Sequence, residues 1–124
     1  MCGIAGIVSN NSIDYSLNIQ YMNTSQNHRG PDDSGVLKLN GSILGHTRLS
    51  IIDMNSGQQP MTCNDRSIAI TFNGEIYGYK DIKKNLNYSF NTQSDTEVIL
   101  ALYKKCRIDT VSYTHLTLPT TPYV

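Results

Sequence analysis

The sequence predicts an α+β fold, on two observations. Five short apolar or β-branched runs, Ile4–Val8, Gly35–Leu39, Ser42–His46, Arg48–Ile52 and Ser67–Phe72, are bounded by Asn, Gly, Ser and Pro. Against these strand-like runs stand a weak helical stripe near the start and one well-marked helix late in the chain, so the pattern is strand-rich with helices added. With 124 residues and 39% hydrophobic content, the chain supports one packed domain, or part of one.

Ile4-Ala5-Gly6-Ile7-Val8 ends in Ser9-Asn10-Asn11 and reads as a buried strand beginning almost at the terminus, which places Cys2 on an ordered element. From Asp14 to about Asn27, Leu17, Tyr21 and Met22 give a helical stripe, followed by the polar loop His28-Arg29-Gly30-Pro31-Asp32-Asp33. Asn40-Gly41 readily takes the positive φ angles of a type I′ turn and predicts a hairpin between Gly35–Leu39 and Ser42–His46. Arg48–Ile52 is expected to continue the sheet. After a polar loop from Asn55 to Pro60, Ser67–Phe72 alternates as a strand before Asn73-Gly74 turns into Glu75-Ile76-Tyr77.

Ser94-Asp95-Thr96-Glu97 fits a capping box, in which Ser94 Oγ accepts from the third helical N–H and Glu97 returns to the cap N–H. A helix from Thr96 to about Cys106 follows, its apolar face made of Val98, Ile99, Leu102 and Tyr103, with Lys104, Lys105 and Arg107 complementing its C-terminus. Beyond Asp109 the composition changes. Val111–Val124 has no Lys, Arg, Asp or Glu but four threonines and two prolines in 14 residues. This tail, taken as residues 110–124, is expected to be foreign to the fold and resembles translated sequencing-adapter ends; a genomic read continuing in frame would overturn that.

Ten Lys+Arg balance ten Asp+Glu, so no bulk field draws the chain to nucleic acid or an anionic membrane, and small, locally recognised substrates are expected. Cys2, Cys63 and Cys106 are too few and too odd in number for a disulfide framework and have no metal-ligand spacing. Reduced thiols, and an apolar N-terminal run too short for a signal or spanning segment, point to the cytoplasm. No phosphate-binding glycine loop, metal cluster or basic-aromatic stripe is present in the sequence.

A cysteine at position 2 is chemically special, because removal of Met1 leaves a thiol and a free α-amine on one residue. An α-amine ordinarily titrates at about 7.7–8.0 and a thiol at about 8.5, so near neutrality the amine can take the thiol proton directly or through one water. Met-Cys-Gly alone is weak, since cysteine is among the most buried residues and a strand-start cysteine is more often inert packing.

Further segments stand in register with it. Met1-Cys2-Gly3-Ile4-Ala5-Gly6-Ile7, His28-Arg29-Gly30-Pro31-Asp32, His46-Thr47-Arg48-Leu49-Ser50-Ile51-Ile52-Asp53, Gln59-Pro60-Met61, Phe72-Asn73-Gly74-Glu75-Ile76-Tyr77 and Ser94-Asp95-Thr96-Glu97-Val98-Ile99 together resemble class II glutamine amidotransferases. The resemblance covers residues 1–109 and is nearest the glutaminase domain of glutamine-hydrolysing asparagine synthetases. It implies an N-terminal-nucleophile αββα sandwich.

The same resemblance implies that the Cys2 thiolate attacks the side-chain amide of L-glutamine, releases ammonia and leaves a γ-glutamyl thioester for water to hydrolyse. Asn73 and Gly74 would form the oxyanion hole, where losing one donor typically costs about 3–4 kcal/mol of barrier. Arg48 would clamp the substrate α-carboxylate with its planar fork. Glu75 and Asp95 would take the α-ammonium, and the segment Arg48, Leu49, Ser50, Ile51, Ile52 would complete the pocket.

Each assignment has a plainer alternative. Asn73-Gly74 could be an ordinary hairpin turn; Arg48 a solvated strand end; Asp95 a charge that only complements the helix dipole. Glu97 is better explained by capping than by substrate. His28, Arg29 and Asp32 read as a loop-bracing set, His46 and His115 as structural or incidental, and Cys63 and Cys106 as unreactive thiols.

No cofactor or metal is expected on this segment. In the asparagine synthetases a second domain, absent here, uses ATP and Mg to activate aspartate and receives the ammonia. Family glutaminase domains also continue with further strands, so the fold is expected to be incomplete. Two other readings stay open: an inactive truncated product, and a glutaminase serving another acceptor. A purified chain with and without Cys2 would separate the first from the enzyme.

Overall fold

The computed structural model describes residues 1–49 and 57–110. The second half of the expected Arg48–Ile52 strand and the tail from Val111 lie outside the described residues.

The first sheet has three antiparallel strands in the order β1-β3-β2, with β1 at Gly3–Val8, β2 at Asp33–Leu39 and β3 at Ser42–Arg48. β3 is central. Gly3 pairs with Thr47 and Val8 with Ser42 on one side, while Asp33 pairs with Arg48 and Leu39 with Ser42 on the other. The hairpin expected at Asn40-Gly41 is present, but its turn is not type I′. Only Gly41 takes a positive φ, of 76°, whereas that turn needs both central residues there. The Gly41 carbonyl instead accepts from Ser9 N at 3.0 Å, tying the hairpin tip to the end of β1.

Helix α1, Ser16–Ser25, packs on the face formed by Ala5, Ile43, Gly45 and Thr47. The expected stripe was misplaced: Leu17 and Tyr21 are exposed, and the buried residues are Ile19 and Asn23. The reason is polar as much as apolar. Asn23 Nδ2 donates to Ser34 Oγ at 3.2 Å and Gly35 O at 3.0 Å, so an asparagine occupies the inward position with its hydrogen bonds met. Ile19, fully buried against Ala5 and Ile43, adds about 1.5–3 kcal/mol of apolar burial.

On the opposite face of β3, His46 bonds Thr71, which directly follows a second, two-stranded sheet. β4 (Met61–Thr62) pairs antiparallel with β5 (Ala69–Ile70), Met61 against Ile70. The Ser67–Phe72 strand is therefore only two residues long as a ladder. A six-residue helix, α2 (Tyr79–Lys84), was not expected. Helix α3, Asp95–Cys106, packs on β4 and β5. Its buried face is Thr96, Glu97, Val98, Leu100, Ala101 and Leu102, while Tyr103 is exposed.

The capping at α3 also differs from the expected box. Ser94 Oγ accepts from Thr96 N, the second helical N–H, at 3.1 Å. Glu97, 2% exposed, reaches past the cap residue: its carboxylate accepts from Asn91 N at 2.8 Å and from Thr92 N and Thr92 Oγ1 at 2.7 Å each. The loop before the helix doubles back under Glu97, so those donors lie closer than the cap N–H, which donates to Thr92 Oγ1 instead.

At the other end of α3, Lys104 Nζ meets Asp65 Oδ2 at 2.6 Å. The Asp65 carboxylate also accepts from Cys63 Sγ and from Ser67, and these contacts, the Cys63 bond foremost, hold it well below the usual carboxylate range. Among the described residues no helix is long and apolar enough to cross a membrane.

Candidate active site

Cys2 stands one residue ahead of β1, half-buried, behind an exposed Met1. Because Gly3 pairs with Thr47, the Cys2 thiol falls beside the end of β3, and Leu49 N lies 3.5 Å from Cys2 Sγ, within donating distance for a sulfur acceptor. Arg29 Nε donates to the Cys2 carbonyl at 3.2 Å. The loop carrying Arg29 is itself bound to β3: Asp32 N donates to Arg48 O at 3.0 Å, and Pro31 bridges Arg48 in parallel register. Cys2, Arg29, Asp32, Arg48 and Leu49 thus form one cluster at one end of the first sheet.

The second group lies where β5 runs toward α3. Asp95 Oδ2 accepts from Ile76 N at 2.9 Å, so the first turn of α3 is joined to the Asn73–Ile76 segment. Asn73 is half-buried, and its side-chain amide makes no hydrogen bond among the described residues. Gly74 is not in a hairpin and takes no positive φ. It is glycine for a packing reason: a Cβ there would sit 2.6 Å from Phe72 Cζ. Glu75 is exposed, with its carboxylate uncommitted among the described residues.

The two groups are joined across the sheets by His46 and Thr71. Thr71 Oγ1 donates to Gly45 O at 3.1 Å, which leaves its oxygen to accept from His46 Nδ1 at 3.0 Å. That fixes the tautomer, with the proton on Nδ1. His46 is 1% exposed and its Nε2 has no partner among the described residues. Burial pushes the imidazole below its ordinary value, the Arg48 charge adds to this and Asp33 opposes it, so His46 is held neutral. Arg48 follows His46 by two residues and Asn73 follows Thr71 by two.

Of the expected site residues, Cys2 is in contact with Leu49 and lies beside Arg48's strand end. Asp95 is in contact with the segment bearing Asn73, Gly74 and Glu75. Ser50, Ile51 and Ile52 lie outside the described residues, and Arg48 is the last residue of β3, not the first of another strand. Thr71 was not singled out from sequence; only its place in a β-branched run marked it. The cleft between Ser9–Tyr15 and the Lys38–Ile43 hairpin tip lies at the far end of β1 and shares no residue with this site. No cluster of three His, Cys, Asp or Glu that could hold a metal occurs among the described residues.

Curated relatives carry the same segment. The chain is 39% identical over 114 residues to glutamine-hydrolysing asparagine synthetase 1 of Arabidopsis thaliana, covering 90% of this chain and 20% of that protein. It is 40% identical over 119 residues to glutamine-hydrolysing asparagine synthetase 1 of Bacillus subtilis, covering 90% and 19%. Against the Brassica oleracea asparagine synthetase the figures are 40% over 108 residues, covering 85% and 18%. The chain therefore spans about a fifth of the length of the curated relatives it matches. A family model of the glutamine amidotransferase domain matches residues 1–115, and the chain belongs to that family.

Proposed function

We propose that this chain is the glutamine-hydrolysing part of an asparagine synthetase, with Cys2, after removal of Met1, as its nucleophile. The observation that carries the reading is the Leu49 N to Cys2 Sγ contact, which sets a second-position thiol beside the strand end that carries Arg48. The order of packing, α1 on the first sheet, the second sheet on its other face and α3 beyond, supports an N-terminal-nucleophile αββα sandwich.

In this reading the Cys2 α-amine takes the thiol proton and the thiolate adds to the carboxamide carbon of L-glutamine. Charge develops on the amide oxygen, where the uncommitted Asn73 amide and the Gly74 N–H donate. The amine returns its proton to the leaving nitrogen, ammonia departs, and a γ-glutamyl thioester remains. Water, deprotonated by the same amine, cleaves the thioester to glutamate and frees the thiol. Arg48 pairs with the substrate α-carboxylate, and Glu75 and Asp95 with its α-ammonium; the segment through Leu49, Ser50, Ile51 and Ile52 closes the pocket.

The ammonia would serve amidation of aspartate on a further domain of the full-length protein. ATP and Mg would be held there, by residues outside this chain. The names of the relatives support asparagine as the product class.

The test is ammonia and glutamate release from glutamine by the Met-processed chain, compared with Cys2→Ala. Turnover lost in Cys2→Ala is expected. A folded parent with no turnover, or a Cys2→Ala protein that keeps it, would refute the proposal.

A further inference from the structure

The Gln59-Pro60-Met61 motif has no part in the chemistry above, yet the Gln59 side chain lies between the two segments on which substrate binding and oxyanion stabilisation depend. Gln59 Oε1 accepts from Phe72 N at 2.6 Å, and Gln59 Nε2 donates to Thr96 Oγ1 at 3.3 Å. Phe72 N can only donate, so the orientation of the amide is fixed. Phe72 directly precedes Asn73-Gly74, and Thr96 directly follows Asp95. Across this gap the segments share one other described side-chain bond, from Ile76 N to Asp95 Oδ2. Gln59 closes a ring: Phe72 to Gln59 to Thr96, through the backbone to Asp95, on to Ile76 and back through Gly74.

We infer, resting on the glutaminase reading, that Gln59 is a positioning residue that sets the spacing between the oxyanion donors at Asn73-Gly74 and the ammonium-binding carboxylate of Asp95. It touches no reacting atom. A single primary amide suits the task because one end must accept from a backbone N–H while the other donates to a hydroxyl. Its two bonds bear on different stages of the reaction: the Phe72 bond fixes donors used mainly by the developing oxyanion, and the Thr96 bond fixes the helix start that holds the bound substrate.

The experiment compares Gln59→Met, Gln59→Glu and Thr96→Val in the Met-processed chain, reading kcat and KM for glutamine and amide hydrogen exchange at Phe72 and Ile76. Methionine keeps the length and loses both bonds. Glutamate keeps an acceptor for Phe72 N and can accept from the Thr96 hydroxyl with its other oxygen. The positioning role predicts that Gln59→Met lowers kcat by about tenfold to a hundredfold, the scale set by small misplacements of catalytic groups. It predicts that Gln59→Glu restores most of that loss, and that Thr96→Val acts mainly by raising KM.

If Gln59 only fills space, the ranking reverses, with methionine tolerated and the buried charge of glutamate costly; that result overturns the inference. So does a folded Gln59→Met with kcat and KM within roughly twofold of the parent. Should Gln59→Met fail to fold, the ranking of Gln59→Glu and Thr96→Val decides. Should the parent show no Cys2-dependent turnover, the glutaminase reading falls by itself. Exchange then decides the brace: faster exchange at Phe72 and Ile76 in Gln59→Met sustains it, and unchanged exchange overturns it.

Discussion

Replacing Glu97 tests the packing around the start of α3 most directly. Its carboxylate is almost wholly buried and accepts three hydrogen bonds, from Asn91 N, Thr92 N and Thr92 Oγ1. In Glu97→Ala the threonine hydroxyl can rotate toward water, but two backbone N–H groups lose their acceptor, at about 1–3 kcal/mol each. Loss of the buried stem adds a small cavity, while removal of a desolvated carboxylate offsets part of the cost. The net expectation is about 3–4 kcal/mol, near the top of the range for one substitution. Glu97→Gln keeps one acceptor oxygen, which can serve the two Thr92 donors, and strands Asn91 N for about 1–3 kcal/mol. Urea unfolding followed by circular dichroism should rank the parent above glutamine and glutamine above alanine, with unchanged slopes. A simple cap contact would cost only about 1 kcal/mol. If both variants fall within about 0.5 kcal/mol of the parent, the three-bond account of Glu97 is wrong.

Two further outcomes follow from the site. Asp95→Asn can still accept from Ile76 N while losing the charge for the substrate ammonium, so KM for glutamine should rise about tenfold or more, with kcat less affected; an unchanged KM in steady-state ammonia release would remove Asp95 from the pocket. For His46, burial lowers the folded-state value below the unfolded one of about 6.5, so the unfolded chain binds more protons and stability is lost as pH falls through that value. Thermal melts should decline between pH ~6.5 and ~5, above the range in which carboxylates titrate, and His46→Gln should flatten that decline; an equal slope in both proteins would contradict a neutral, desolvated imidazole.

Sequence pattern revealed those parts of the fold that repeat. β1 and the β2-β3 hairpin were legible because alternation and an Asn-Gly turn signal extend over enough residues to be seen. β4, at two residues, and α2, at six, are too short to display a period. The buried face of α1 was misread because Asn23 turns inward, satisfied by Ser34 and Gly35 from a strand beyond the next loop. At α3 the residues of the capping box were right and the bonds were not, because the fold of the preceding loop chose Glu97's partners.

The site divides in the same way. Cys2 and Asp95 were singled out only through several segments resembling one family in register, since a second-position cysteine is weak by itself and an aspartate at a helix start also complements the dipole. The approach of Leu49 N to Cys2 Sγ depends on strand register between residues 47 positions apart, which no local pattern carries. The Gln59 and Thr71 contacts are of this long-range kind as well.

β3 is the common reference for all of these parts. It aligns Cys2 through β1, ends in Arg48, and holds the approach to Asn73 through His46 and Thr71. Side chains alternate along a strand, so a one-residue slip of β1 against β3 would turn Cys2 to the other face of the sheet. Deleting one residue between Leu44 and Arg48 would therefore misalign Cys2, Arg48 and the Asn73-Gly74 segment together.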